Sequence, residues 1–88
     1  MHFQITTSSR FEKSYSKLTQ VERKQLKSKL ELLAKNPLHP SLRTKRIQGS
    51  ESLFEFSVNM DVRVIWYHEG NLIIVLLDVG HHDVLGKY

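Results

Sequence analysis

The chain has no cysteine. A disulfide framework and a thiolate zinc site are therefore both excluded. Proline and glycine are scarce, two and four residues among 88, and they are scattered rather than gathered into a linker. No internal repeat and no low-complexity segment occurs. The longest apolar run is too short to span a bilayer. The first residues carry no basic stretch followed by an apolar one, so no secretory signal is read there. The expectation is one domain over residues 1–88, in a small soluble protein of the cytoplasm.

Apolar residues make up 40% of the chain, enough for a core. Thirteen Lys and Arg outnumber nine Asp and Glu, giving a net charge of +4. Such an excess suits a polyanion or an acidic protein partner without choosing between them.

Weak alternation marks a first strand over 2–6. Ser9-Arg10-Phe11-Glu12 and Thr19-Gln20-Val21-Glu22 both read as capping boxes, a hydroxyl followed three residues on by glutamate. They predict two successive helices. Phe11, Tyr15 and Leu18 would line one face of the first, and Leu26, Leu30 and Leu33 one face of the second. Asn36-Pro37 ends the second helix, because a residue before proline is driven out of the helical region. Pro40 should keep the following loop from resuming helix.

The rest of the chain reads as strands. Arg43 to Gln48 precede a turn at Gly49-Ser50. In Leu53–Val58, Phe54, Phe56 and Val58 point one way, Glu55 and Ser57 the other. In Asp61–Tyr67, Val62, Val64 and Trp66 oppose Arg63, Ile65 and Tyr67. A turn at Glu69-Gly70-Asn71 leads to Leu72–Leu77, whose unbroken apolar character predicts a strand covered on both faces. The β-α-α-β-β-β-β order and short connections predict an α+β fold. A four-stranded antiparallel sheet plus the N-terminal strand would carry a two-helix hairpin on one face. Asn59-Met60 lacks the glycine of a two-residue hairpin. A three-residue loop over 59–61 is expected instead, setting Ser57 opposite Arg63 with Glu55 diagonal to it; a slip of one would reverse every face.

Arg63 interrupts an apolar strand, where a permanent charge must be paired or solvated. It is either salt-bridged to Asp61 or Glu55, or it is a clamp for phosphate, whose oxygens fit the guanidinium fork. His81 and His82 leave the sheet after Gly80. Adjacent extended residues point opposite ways, which opposes a shared metal, so no metal site is read here. One imidazole suits proton transfer. Arg43, Lys45 and Arg46 form a basic cluster that is either a charged edge strand or a track for an RNA backbone. Lys24, Lys27 and Lys29 read as a solvated helix face, and His2, His39 and His68 as surface residues. Tyr88 is either a frayed end or an aromatic that stacks on a base.

The element order, the Ile47-Gln48-Gly49 turn, the strand Met60–Tyr67 and the Val79-Gly80-His81-His82-Asp83-Val84-Leu85 end together resemble the RelE/ParE toxin superfamily over nearly the whole chain. The resemblance implies the toxin of a bacterial toxin–antitoxin pair. In its RelE and YafQ-like branches the implied activity is metal-independent, cofactor-free cleavage of mRNA, typically in the ribosomal A site, with a cognate antitoxin as partner. On that resemblance Arg63 matches the arginine that steadies the scissile phosphate, and His82 the catalytic histidine of YafQ-like members. Glu55 and Ser57 fall where RelE has catalytic lysines. Asp61 matches an aspartate of the YafQ-like branch. The implied catalytic set is Arg63, His82, Glu55, His81 and Asp61. The implied RNA-binding set is Arg43, Lys45, Arg46, Ser57, Lys87 and Tyr88. A ParE-like gyrase inhibitor and a non-catalytic basic RNA-binding module are the alternatives.

Overall fold

The computed structural model describes residues 2–88, except the side chains of Val84 and Lys87. Helix α2 (Gln20–Lys35) begins at the expected box. The Thr19 hydroxyl accepts from the Glu22 amide at 3.1 Å, and the Glu22 carboxylate accepts from the Thr19 amide at 2.9 Å. Two amides without helical partners are thereby satisfied reciprocally. The helix ends at Asn36, which is extended, as a residue before proline must be.

Helix α1 (Ser9–Tyr15) corrects the first box. Its cap is Ser8, not Ser9. The Ser8 hydroxyl accepts from the Phe11 amide at 3.0 Å and donates to the Leu77 carbonyl at 2.7 Å. Ser8 is where the chain leaves the sheet, so one hydroxyl closes the helix and ties it to a strand. The helix is also shorter than expected, and Leu18 is buried from the turn that follows it. Pro40 is corrected too. It opens a 3-10 turn (Pro40–Leu42) that plunges Leu42 fully into the core, because proline is well suited to the first position of a helical turn.

The sheet holds β1 (Gln4–Thr7), β2 (Lys45–Arg46), β3 (Phe54–Ser57), β4 (Val62–Glu69) and β5 (Ile73–His81), in the order β1-β5-β4-β3-β2. Strands β2 to β5 are antiparallel neighbours, and β1 runs parallel to β5 at one edge. The apolar β5 is thus flanked on both sides. Ser57 pairs with Arg63, Phe56 with Val64 and Glu55 with Ile65. Residues 59–61 therefore form the connecting loop, closed by the Val58 amide on the Val62 carbonyl at 2.9 Å. Asn59 shapes it: its Oδ1 accepts from the Asp61 and Val62 amides, both at 2.8 Å, the local turn that asparagine favours.

One irregularity sits between β4 and β5. Ile65 pairs with Asp78 but Trp66 pairs with Leu76, so Leu77 is an extra residue in β5. On the helix side Phe56, Val62, Val64, Trp66, Ile74, Leu76 and Val79 meet Phe11, Leu26, Leu33 and Leu42 in one core. The opposite face is only partly open. Ile65, Val75 and Leu85 are buried outside that core, and a C-terminal 3-10 turn (Val84–Lys87) packs against β5. Among the described residues no helix is long and apolar enough to cross a membrane.

Candidate active site

Strand alternation puts Arg63 on the face opposite the helices, and its neighbours decide its state. The side chain is half-buried. Its Nη1 donates to the Asn59 carbonyl at 2.6 Å and more weakly to the Val62 carbonyl at 3.3 Å. Among the described residues it pairs with no carboxylate, so the salt bridge to Asp61 or Glu55 is not formed. Carbonyl oxygens orient a guanidinium without cancelling its charge. An aimed, uncompensated guanidinium has the chemistry that suits an anion.

Two open clefts meet at this arginine. One, of about 410 Å³, is lined by Lys29, Ser41, Arg43, Ser57, Val58, Asn59, Met60 and Arg63. The other, of about 230 Å³, is lined by Met60, Asp61, Arg63, His81, His82 and Asp83. The first holds cations and hydroxyls with no carboxylate. The second gathers the titratable groups.

The structure separates the two histidines. His82 follows β5, its amide held by the Asp61 carbonyl at 2.8 Å. His81 pairs with the core residue Val62, and its Nε2 lies 3.3 Å from the Glu22 carboxylate at the start of α2. That contact engages His81 with the helix layer. Asp61 and Asp83 are exposed beside His82. Ser57 is directly across from Arg63. Glu55 shares their face one pair further on, ion-paired with Lys45 at 3.2 Å, and lines neither cleft.

The basic cluster is divided. Lys45 is on the Glu55 face. Arg46 is paired with Phe54 on the other face, its guanidinium carbon 5.6 Å from the Phe54 ring centre. Arg43 enters the Arg63 cleft. It has φ of 52°, the only positive value outside glycine among the described residues. The Lys87 side chain lies outside the described residues.

Tyr88 is neither a frayed end nor an unengaged ring. Its hydroxyl donates to Asp78 Oδ2 at 2.8 Å and accepts from Arg10 at 3.1 Å. Burial and the hydrogen bond to Asp78 raise its pKa above the usual tyrosine value, with Arg10 opposing. Asp78 is buried, and its Oδ1 accepts from the Ser14 hydroxyl at 2.7 Å and the Val79 amide at 2.9 Å. Sequence reading passed over this network and also the places of Lys29, Asn59 and Met60. Asn59 alone carried a signal, as a turn-former before a strand; the others depend on contacts far apart in sequence. Among the described residues, no group of three His, Asp or Glu is placed to hold a metal ion.

Two helices covering one face of a five-stranded mixed sheet define a small α+β class, and known structures specify it further. The YafQ chain of the E. coli DinJ–YafQ toxin–antitoxin complex superposes with a TM-score of 0.77 at 23% identity, covering 98% of this chain and 99% of that one. The archaeal RelE–RelB complex from Pyrococcus horikoshii OT3 gives 0.77 at 15% identity over the full length of both chains. A double mutant of E. coli toxin RelE in the free state gives 0.76 at 18%, covering 97% and 88%. No family model and no curated protein sequence matches. The chain has the RelE/YafQ toxin fold.

Proposed function

We propose that the protein is the toxin of a toxin–antitoxin pair and acts as an endoribonuclease on mRNA. The observation that carries this reading is the setting of Arg63. It lies in the strand between β5, which His82 follows, and β3, which bears Glu55 and Ser57, and it lacks a carboxylate partner among the described residues. In-line displacement at phosphorus needs a base and an acid on opposite sides of the phosphate, with positive charge at its equatorial oxygens. Strand order β5-β4-β3, with His82 just after β5 and Glu55 on β3, supports that order of groups.

The step is a transesterification. Glu55 takes the proton of a ribose 2′-hydroxyl, whose oxygen bonds to the adjacent phosphorus. The bond from phosphorus to the 5′-oxygen breaks, and protonated His82 gives its proton to that oxygen. The products are a 2′,3′-cyclic phosphate and a 5′-hydroxyl. Arg63 stabilises the negative charge that builds on the phosphorane. Asp61 and Asp83 line the same cleft as His82.

The protein neighbours in toxin–antitoxin complexes, and a net charge of +4, support a cognate antitoxin whose acidic or amphipathic segment covers the cationic face. The proposed setting is the cytoplasm and the ribosomal A site. Inducing the chain in bacteria and mapping RNA ends tests the reading. New 5′-hydroxyl ends are expected with the wild-type chain and not with Arg63→Ala. Growth arrest with intact RNA would instead place the target elsewhere.

A further inference from the structure

The two clefts share only Arg63 and Met60. We propose that they are consecutive stations on one RNA path, and that the Lys29–Arg43 cleft holds the phosphate immediately 5′ of the attacking nucleotide. This rests on the nuclease reading for its polarity and adds a second phosphate subsite to it.

Charge carries the argument. Lys29, Arg43 and Arg63 face one concavity that no carboxylate lines. An anion entering that space meets three cations and no carboxylate. Two of the cations are held by backbone carbonyls, and the third sits on a fixed backbone. Lys29 Nζ donates to the Ser41 carbonyl at 3.1 Å, Arg63 to the Asn59 carbonyl at 2.6 Å, and Arg43 is fixed in the left-handed region by its amide on the Pro40 carbonyl at 3.2 Å. That conformation costs an ordinary residue on the order of 1 kcal/mol. Arg43 bears that cost at the end of a 3-10 turn anchored by the fully buried Leu42.

Polarity follows from the strand order. The base, Glu55, and the cationic cleft lie on the β3 side of Arg63, while the acid, His82, lies on the β5 side. The nucleotide that supplies the 2′-oxygen must therefore lie toward β3, and the leaving nucleotide toward β5. The strand runs 5′ to 3′ from Lys29 and Arg43, over Arg63, to His82. Met60, 87% exposed at the rim common to both clefts, presents a thioether where the bases on either side of the scissile bond pass. A flexible apolar arm there grips bases without choosing among them.

The test uses the full chain and a short DNA strand carrying one 2′-O-methyl ribonucleotide, which binds but cannot be cut. A second strand has a neutral methylphosphonate at the linkage 5′ of that nucleotide. Lys29→Gln and Arg43→Gln are each expected to weaken binding of the first strand about fivefold, the equivalent of one modest hydrogen bond. Each should also lower the salt dependence of binding by roughly 0.7 of a counterion. Neither should matter for the methylphosphonate strand, because the two changes remove the same contact. Lys29→Arg should bind like the wild type, which separates lost charge from lost packing, and Lys24→Gln on the other side of α2 serves as the control.

Equal binding of both strands by the wild-type chain, no binding at all, or preference for an acidic peptide over either strand overturns the subsite. The nuclease reading fails separately. If the matching ribose-containing strand stays intact while Lys29 and Arg43 show the expected losses, the subsite stands and the chemistry does not.

Discussion

The guanidinium of Arg63 rests 2.6 Å from the carbonyl of Asn59, the first residue of the loop that precedes its own strand. The loop thus aims the charge, and the Asn59 side chain fixes the loop. Arg63→Gln keeps a polar group of similar reach and removes the charge. It is expected to lower RNA cleavage by roughly a hundredfold or more, the usual loss for one preorganised charge donor. Circular dichroism should be unchanged. Cleavage at the wild-type rate by a folded variant removes Arg63 from the chemistry.

His82→Gln and His81→Gln should part company. Both residues line the Arg63 cleft, but His82 follows the strand on the Arg63 face, and loss of a general acid commonly costs about a hundredfold or more. His81 is engaged with Glu22 in a partly exposed contact, which is worth at most about 1 kcal/mol. Cleavage rates and urea midpoints of the two variants, measured side by side, check the division. Equal loss of rate in both would return His81 to the site.

Ser8→Ala should destabilise the fold by about 1–2 kcal/mol, because it removes the cap of α1 and the tie to Leu77 together. Ser9→Ala removes neither and should lie within about 0.5 kcal/mol of wild type. Chemical denaturation distinguishes them, and a larger loss at Ser9 would relocate the cap.

Leu42→Ala empties a fully buried site beside Arg43. The expected loss is about 2–5 kcal/mol, read as a lowered denaturation midpoint. A change below about 1 kcal/mol would show that the 3-10 turn does not anchor the cationic cleft.

Tyr88 supplies a dependence on pH. Its folded pKa is raised above the ordinary value of 10.0, so above that pH the unfolded chain loses the phenolic proton first. Stability from the group is complete below pH 10 and falls as pH rises through the folded value. Denaturation at increasing pH should therefore show a steeper decline for wild type than for Tyr88→Phe. Parallel curves would show that the hydroxyl is not seated on Asp78.

The sheet side of the fold was legible because its signals are local and repetitive. Alternation in Phe54-Glu55-Phe56-Ser57-Val58, and a loop without glycine, together set the register that brings Ser57 opposite Arg63. Thr19 and Glu22 gave the start of α2 for the same reason. Ser8 was misread because its partner Leu77 is 69 residues away, and local spacing alone favours Ser9. The site was legible in its residue types and less so in its grouping. Arg43, Lys45 and Arg46 are close in sequence, yet strand pairing sends Lys45 and Arg46 to opposite faces and a left-handed turn takes Arg43 elsewhere. Lys29 was read as part of a solvated helix face; only the packing of Leu42 brings Ser41 and Arg43 up to it.

A chain that alternated without fault from Ile73 onward would have offered Arg63 the other imidazole. With Leu77 uncounted in the ladder, Gly80 falls across from Arg63 and His81 across from Val62; with Leu77 counted, Val79 would fall across from Arg63 and Gly80 across from Val62, which turns His81 to the Arg63 face. Handedness at the working surface is thus decided by a single surplus leucine four positions ahead of the pair. Excising that leucine should leave both rings where they are, whereas adding one residue between Asp78 and Gly80 should exchange them.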